Sequence, residues 1–179
     1  LNDSDPIMKE DPLKVRMGLN SGDVILCDIG AAKARVDLTM IGDAVNIAAR
    51  LETACSQYFI DNLVSDSVAK DAKDQFSLRI IDRIKVYGKD TPVAVYEIIN
   101  EVENTSQKEN DLIKHFEKGF EAYTKGKFSA GLKHFQKSKS LEIDRGYPST
   151  PSDVYISRCK MLEKSSPDNW DGTWTLESK

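Results

Sequence analysis

The sequence predicts an α+β fold followed by a small all-helical segment. Strand-like and helix-like patterns interleave up to about residue 100, and short turn sequences join several of the strands. Beyond that point the composition changes to aromatic residues at helical spacing.

Residues 1–12 contain Pro6, Pro12 and several acidic residues and read as a linker. Val15, Met17 and Leu19 alternate with Lys14, Arg16 and Asn20, the pattern of a half-buried strand. Asn20-Ser21-Gly22-Asp23 is a turn signal, and residues 24–29 form a second, more apolar strand. Together these predict a hairpin. A loop over 30–34 leads to a third strand over 36–41. A helix is predicted over 43–54, with Asp43 as its N-cap. A short strand over 58–60 and a helix over 65–72, capped by Ser65 or Asp66, follow. Residues 76–86 read as strand, Tyr87-Gly88-Lys89-Asp90 as a turn, and 93–99 as the last strand.

Residues 101–110 are polar and charged and read as a second linker. The segment 111–165 is a helical appendage. Leu112, Phe116, Phe120 and Tyr123 mark one helix, Phe128, Leu132 and Phe135 the next, and Tyr155, Cys159 and Leu162 a third. Residues 119–143 resemble one tetratricopeptide unit: Gly119, Gly126, Phe128 and Phe135 fit, while Gly131 stands where alanine is usual. A single unit cannot bury its own apolar face, so it must dock on the preceding domain, on upstream sequence or on another chain. The tail, 166–179, holds Trp170 and Trp174, either of which could anchor it.

The length of 179 residues suits one domain and an appendage, and the net charge of −4 argues against a nucleic-acid partner. No apolar run approaches the ~20 residues of a membrane span, and no secretory signal opens the chain. Leu1 in place of Met indicates a piece of a longer protein. Cys27, Cys55 and Cys159 are widely spaced without a CxxC pair, so they read as reduced, mostly buried cytoplasmic thiols, with no metal site of their own. His115 and His134 read as structural or solvated.

The most informative stretch is Leu38-Thr39-Met40-Ile41-Gly42-Asp43-Ala44-Val45-Asn46-Ile47-Ala48-Ala49-Arg50-Leu51. It reads as a buried strand that turns at Gly42 into an amphipathic helix, with Ala44, Ile47, Ala48, Leu51 and Cys55 as its apolar stripe. Asn46 and Arg50 stand four apart, so they share a face, away from that stripe. An amide and a guanidinium near the first turns of a helix form a candidate anion site.

These residues, with Val15-Arg16-Met17-Gly18-Leu19-Asn20-Ser21-Gly22-Asp23-Val24 and Ile29-Gly30, closely resemble the catalytic domain of class III adenylyl and guanylyl cyclases, over about residues 13–100. Within that family the chain looks most like bacterial enzymes of the soluble adenylyl cyclase type. The resemblance implies the C-terminal portion of a ferredoxin-like domain, working as a homodimer with active sites at the interface and joined to an upstream sensor domain. It implies conversion of ATP to 3′,5′-cyclic AMP and pyrophosphate, assisted by two Mg²⁺ or Mn²⁺ ions. Arg50 matches the transition-state arginine and Asn46 the asparagine that orients the ribose. Thr39 matches the base-selecting position, where threonine favours ATP. Met40 matches a residue whose carbonyl accepts from the adenine amino group.

The departures lie around the metals and the triphosphate. The family's two metal-binding aspartates and its base-selecting lysine belong to upstream motifs absent from this chain, and Asp28, Asp37 and Asp43 occupy other positions. Where the family has Lys-Gly-Lys, this chain has Tyr87-Gly88-Lys89, so Lys89 or Lys85 is the candidate for the triphosphate. The expected function is therefore part of an adenylate cyclase, inactive as this fragment alone. Two alternatives remain: a cyclase-like regulatory module without chemistry, and a helical-repeat interaction protein.

Overall fold

The computed structural model describes residues 14–30, 36–84, 92–165 and 169–174. The element order is β1 (Met17–Leu19), β2 (Ile25–Gly30), β3 (Val36–Ile41), α1 (Asp43–Tyr58), β4 (Asn62–Ser65), α2 (Asp66–Ala72), β5 (Phe76–Ile84) and β6 (Val93–Glu101). A 3₁₀ turn (Val102–Asn104) then leads to three helices, α3 (Gln107–Thr124), α4 (Phe128–Lys139) and α5 (Pro151–Lys164). The fold is α+β, with a mixed sheet ordered β1-β4-β6-β5 and a separate two-stranded ribbon, β2-β3.

The expected hairpin between the first two strands is not formed. β1 pairs in parallel with β4, Gly18 opposite Leu63, while β2 pairs antiparallel with β3, Cys27 opposite Thr39. Two contacts divert the turn sequence. Met17 N–H donates to the Asp61 carbonyl at 2.8 Å, and the Asn20 amide donates to the Ala44 carbonyl at 3.1 Å. Residues 20–24 thus carry the chain from one sheet to the other.

The strand expected at 58–60 is also replaced. Tyr58 completes α1, Phe59 closes it in the left-handed region at φ 59°, and pairing begins at Asn62. Gly42, not Asp43, is the N-cap of α1, and Asp43 is its first helical residue. Ser65 is the N-cap of α2 without a side-chain capping bond. The linker 1–12, the turn 87–90, Lys85 and Lys89 lie outside the described residues.

Residues 101–110, polar in composition, hold the end of β6, the 3₁₀ turn and the start of α3. Ser106 and Glu109 form a reciprocal capping box there. The helices that follow share a core with the sheet: Leu51, Cys55, Tyr58, Ile81 and Val95 cluster with Phe116, Phe120, Tyr123, Phe135 and Tyr155. The aromatic face of the helical segment is thus covered by the preceding domain of the same chain. Trp170 joins this packing, donating its indole N–H to the Tyr123 carbonyl at 3.0 Å.

Buried charges cross the same boundary. Arg79 on β5 stands opposite Glu97 on β6; both are fully buried and bonded at 2.6 Å. Arg79 also bonds Glu142 at 2.9 Å, and Arg145 reaches Glu97 at 2.6 Å. Removing such charges from water is costly unless each finds partners, as these do.

Candidate active site

The site is built from one continuous strand, turn and helix. β3 carries Thr39 and Met40, whose side chains alternate across the ribbon. Thr39 is half-buried opposite Cys27, and Met40 is exposed opposite Leu26, so β3 is not the buried strand its sequence predicts: it lies in the ribbon, apart from the four-stranded sheet, with Leu38 and Ile41 also exposed. Gly42 turns the chain into α1. A Cβ there would meet the Asp23 carbonyl at 3.0 Å, so the absence of a side chain lets the turn pass close to residues 23–24. The Gly42 carbonyl accepts from Val45 and Asn46 N–H at 3.2 and 3.3 Å and begins the helix.

α1 is positioned chiefly by β1. A Cβ on Gly18 would lie 2.0 Å from the Ala48 carbonyl oxygen and 2.4 Å from Glu52 N. Only glycine allows the helix to rest on the strand at this distance. The Cys55 thiol reaches the Leu51 carbonyl at 3.3 Å and the Met17 carbonyl at 3.6 Å, and burial pushes its pKa up to about 12. At the surface Arg16 donates to Glu52 at 2.9 Å, which raises the arginine's pKa.

With Leu51, Ala54, Cys55 and Tyr58 turned into the core, Asn46 and Arg50 are exposed on α1. Leu51, Cys55 and Tyr58 are fully buried, whereas Ala44, Ile47 and Ala48 of the predicted stripe are only partly so. The structure therefore joins Thr39, Met40, Asn46 and Arg50 through the one turn at Gly42, and Lys89 lies outside the described residues. Chemically, the face offers an amide and a guanidinium to an anionic ligand.

A cleft of about 430 Å³ lies beside the start of α1, lined by Asn20, Asp23, Asp43, Ile47, Asp66 and Ser67 among others. It contains none of Thr39, Met40, Asn46 and Arg50, and three carboxylates on its wall disfavour a phosphate. Among the described residues no group of His, Cys, Asp and Glu side chains could hold a metal ion. Asp28 and Asp37 lie on the ribbon opposite Leu38 and Ile29. These residues do not fit a divalent pair.

Sequence reasoning missed the residues that hold the helix: Gly18, the Asn20 amide and the fully buried Tyr58. A glycine inside a strand pattern was the available signal for the first, since it marks close backbone approach.

The model of the adenylate and guanylate cyclase catalytic domain family matches residues 2–100. An adenylate cyclase from Anabaena cylindrica is 39% identical over 89 residues, which is 48% of this chain and 18% of that protein. Adenylate cyclase 1 from Rhizobium meliloti is 33% identical over 89 residues, 50% of this chain and 13% of that protein. The terminal-differentiation-specific adenylate cyclase of Dictyostelium discoideum is 28% identical over 148 residues, 80% of this chain and 7% of that protein. That last match is long enough to run into the helical segment. The chain thus spans less than a fifth of the length of these relatives. Among solved structures, the adenylyl cyclase CyaB from P. aeruginosa aligns with a TM-score of 0.43 and 32% identity, covering 53% of this chain and 47% of that one.

Proposed function

The chain belongs to the adenylate and guanylate cyclase catalytic domain family, and on that premise we propose that it is a part of an adenylate cyclase holding the C-terminal portion of the catalytic domain and the helical segment that follows it. The intact protein would convert ATP to 3′,5′-cyclic AMP and pyrophosphate in the cytoplasm. The observation that carries this reading is the outward presentation of Asn46 and Arg50 on α1, directly after the strand that bears Thr39.

In this reading Thr39 and the Met40 carbonyl meet the adenine, and the Asn46 amide orients the ribose. The Arg50 guanidinium lies against the α-phosphoryl oxygens. Attack of the ribose 3′-oxygen on the α-phosphorus places negative charge on those oxygens, and a fixed cation stabilises it more than it stabilises bound ATP. Lys89 is the candidate for the triphosphate. The two Mg²⁺ or Mn²⁺ ions of the family's chemistry would lower the charge on the phosphates, held by carboxylates outside these residues.

A homodimer with sites at its interface agrees with the exposed apolar ribbon, where Ile25 is 70% and Leu38 66% exposed. It agrees also with the exposure of Asn46 and Arg50 on α1. The helical segment is read as a tetratricopeptide-like unit turned onto its own catalytic domain. An upstream sensor domain would supply regulation.

The test is Arg50→Ala in the intact parent. It should lower kcat at least about a hundredfold with KM for ATP nearly unchanged. Equal loss in kcat and in ATP binding would remove the transition-state role.

A further inference from the structure

One set of contacts between the helical segment and the sheet reaches α1, the helix that carries Asn46 and Arg50. Tyr58, the last residue of α1, is fully buried, and its hydroxyl donates to Asp82 Oδ2 at 2.5 Å. Arg158 on α5, only 6% exposed, donates from Nη1 to the same oxygen at 2.8 Å. Its guanidinium lies 5.5 Å over the Tyr58 ring and 5.0 Å over both Tyr155 and Trp174. The other Asp82 oxygen accepts from Arg83 N–H at 2.7 Å.

A β-bulge creates this arrangement. The β5–β6 register slips between Ile80 and Asp82, which leaves Ile81 as the extra residue. The Ile81 carbonyl accepts from the Tyr155 hydroxyl at 2.7 Å. The helical segment therefore satisfies both the bulge carbonyl and the buried carboxylate beside it. Arg50 and Tyr58 stand on one helix, roughly 12 Å apart at 1.5 Å per residue. The far end of the catalytic helix is held by a carboxylate whose charge is balanced from α5.

We propose that Arg158 is a positioning residue, acting through Asp82 and Tyr58 to set the placement of α1 and hence of Arg50. The helical segment is then a working part of the catalytic domain, although it lies beyond the residues the family model matches. This inference rests on the reading of Asn46 and Arg50 as catalytic residues. In phosphoryl chemistry small misplacements of a fixed group lower the rate strongly, so the contact bears on turnover.

The test combines amide hydrogen exchange on this chain with kinetics on the intact parent. Tyr58→Phe removes one hydroxyl and keeps the packing. It should speed exchange in the last two turns of α1 about tenfold, leaving α3 and α4 protected as before. In the parent it should lower kcat about tenfold with KM for ATP within about twofold. Arg158→Met should act in the same direction, and Arg158→Lys, which keeps a charged donor for Asp82, should restore both readouts. If Arg158→Met does not fold, Tyr58→Phe and Arg158→Lys decide the question. Unchanged α1 exchange in Tyr58→Phe, or faster exchange spread evenly over every element, overturns the proposal. An Arg50→Ala parent with native kcat overturns the catalytic reading instead, and the exchange result is unaffected by it.

Discussion

Gly18 lies so close beneath Ala48 that a Cβ would stand 2.0 Å from the Ala48 carbonyl oxygen. This contact sets the distance between β1 and α1, and through α1 the position of Asn46 and Arg50. Gly18→Ala should therefore destabilise the chain by at least about 2 kcal/mol, since the clash is with backbone and cannot be relieved by a rotamer. A urea unfolding midpoint measures it, and an unchanged midpoint would contradict the seating of α1 on β1.

Glu97 accepts from Arg79 and pairs with Arg145, all at or near zero exposure except the partly buried Arg145. Glu97→Ala should cost about 3 kcal/mol, because it leaves the buried Arg79 guanidinium with Glu142 as its one remaining carboxylate and takes the Glu97 partner from Arg145. Circular dichroism and the fluorescence of Trp170 and Trp174 should report one common transition, shifted together. A tryptophan transition that moves alone would mean that the helical segment unfolds separately.

Cys55 and Cys159 are buried, and desolvation pushes both thiols from about 9 up to about 12. Both are harder to ionise in the folded than in the unfolded chain. Their contribution to stability is therefore complete below about pH 9 and is lost as pH rises towards 12. At pH 8 iodoacetamide should label the half-buried Cys27 first, with Cys55 and Cys159 protected until denaturant is added. Mass spectrometry after brief labelling reads the order directly, and early modification of Cys55 would contradict its packing under β1.

This chain alone, given ATP and Mn²⁺, should make no cyclic AMP above background. The described residues include no cluster of His, Cys, Asp and Glu side chains that could hold the metals. Appreciable turnover in a cyclic AMP assay would require a metal site within these residues and would overturn that part of the proposed function.

Local pattern carried much of this architecture. The helical stripe ending at Leu51 and Cys55 and the aromatic spacing from Phe116 to Phe135 each mark an element that is present. The alternation at Val15, Met17 and Leu19 marks the strand β1 but not a buried face, since all three side chains are exposed. Polar composition misled at 101–110. There Ser106 and Glu109, three apart, already spelled a helix start. The turn at Asn20 misled for another reason: its amide is taken by Ala44, and the strand that follows pairs with β3 rather than with β1.

What the sequence by itself determined is most of the local elements and the shared helix face of Asn46 and Arg50, because a helix repeats every 3.6 residues whatever surrounds it. Tertiary structure alone decided which strands pair, β1 with β4 rather than β2. It also decided that Tyr58, Asp82 and Arg158 meet at one carboxylate oxygen. Those partners lie 24 and 76 residues apart. No local period links residues at such separations, and only the closing of the sheet beneath the helices brings them together.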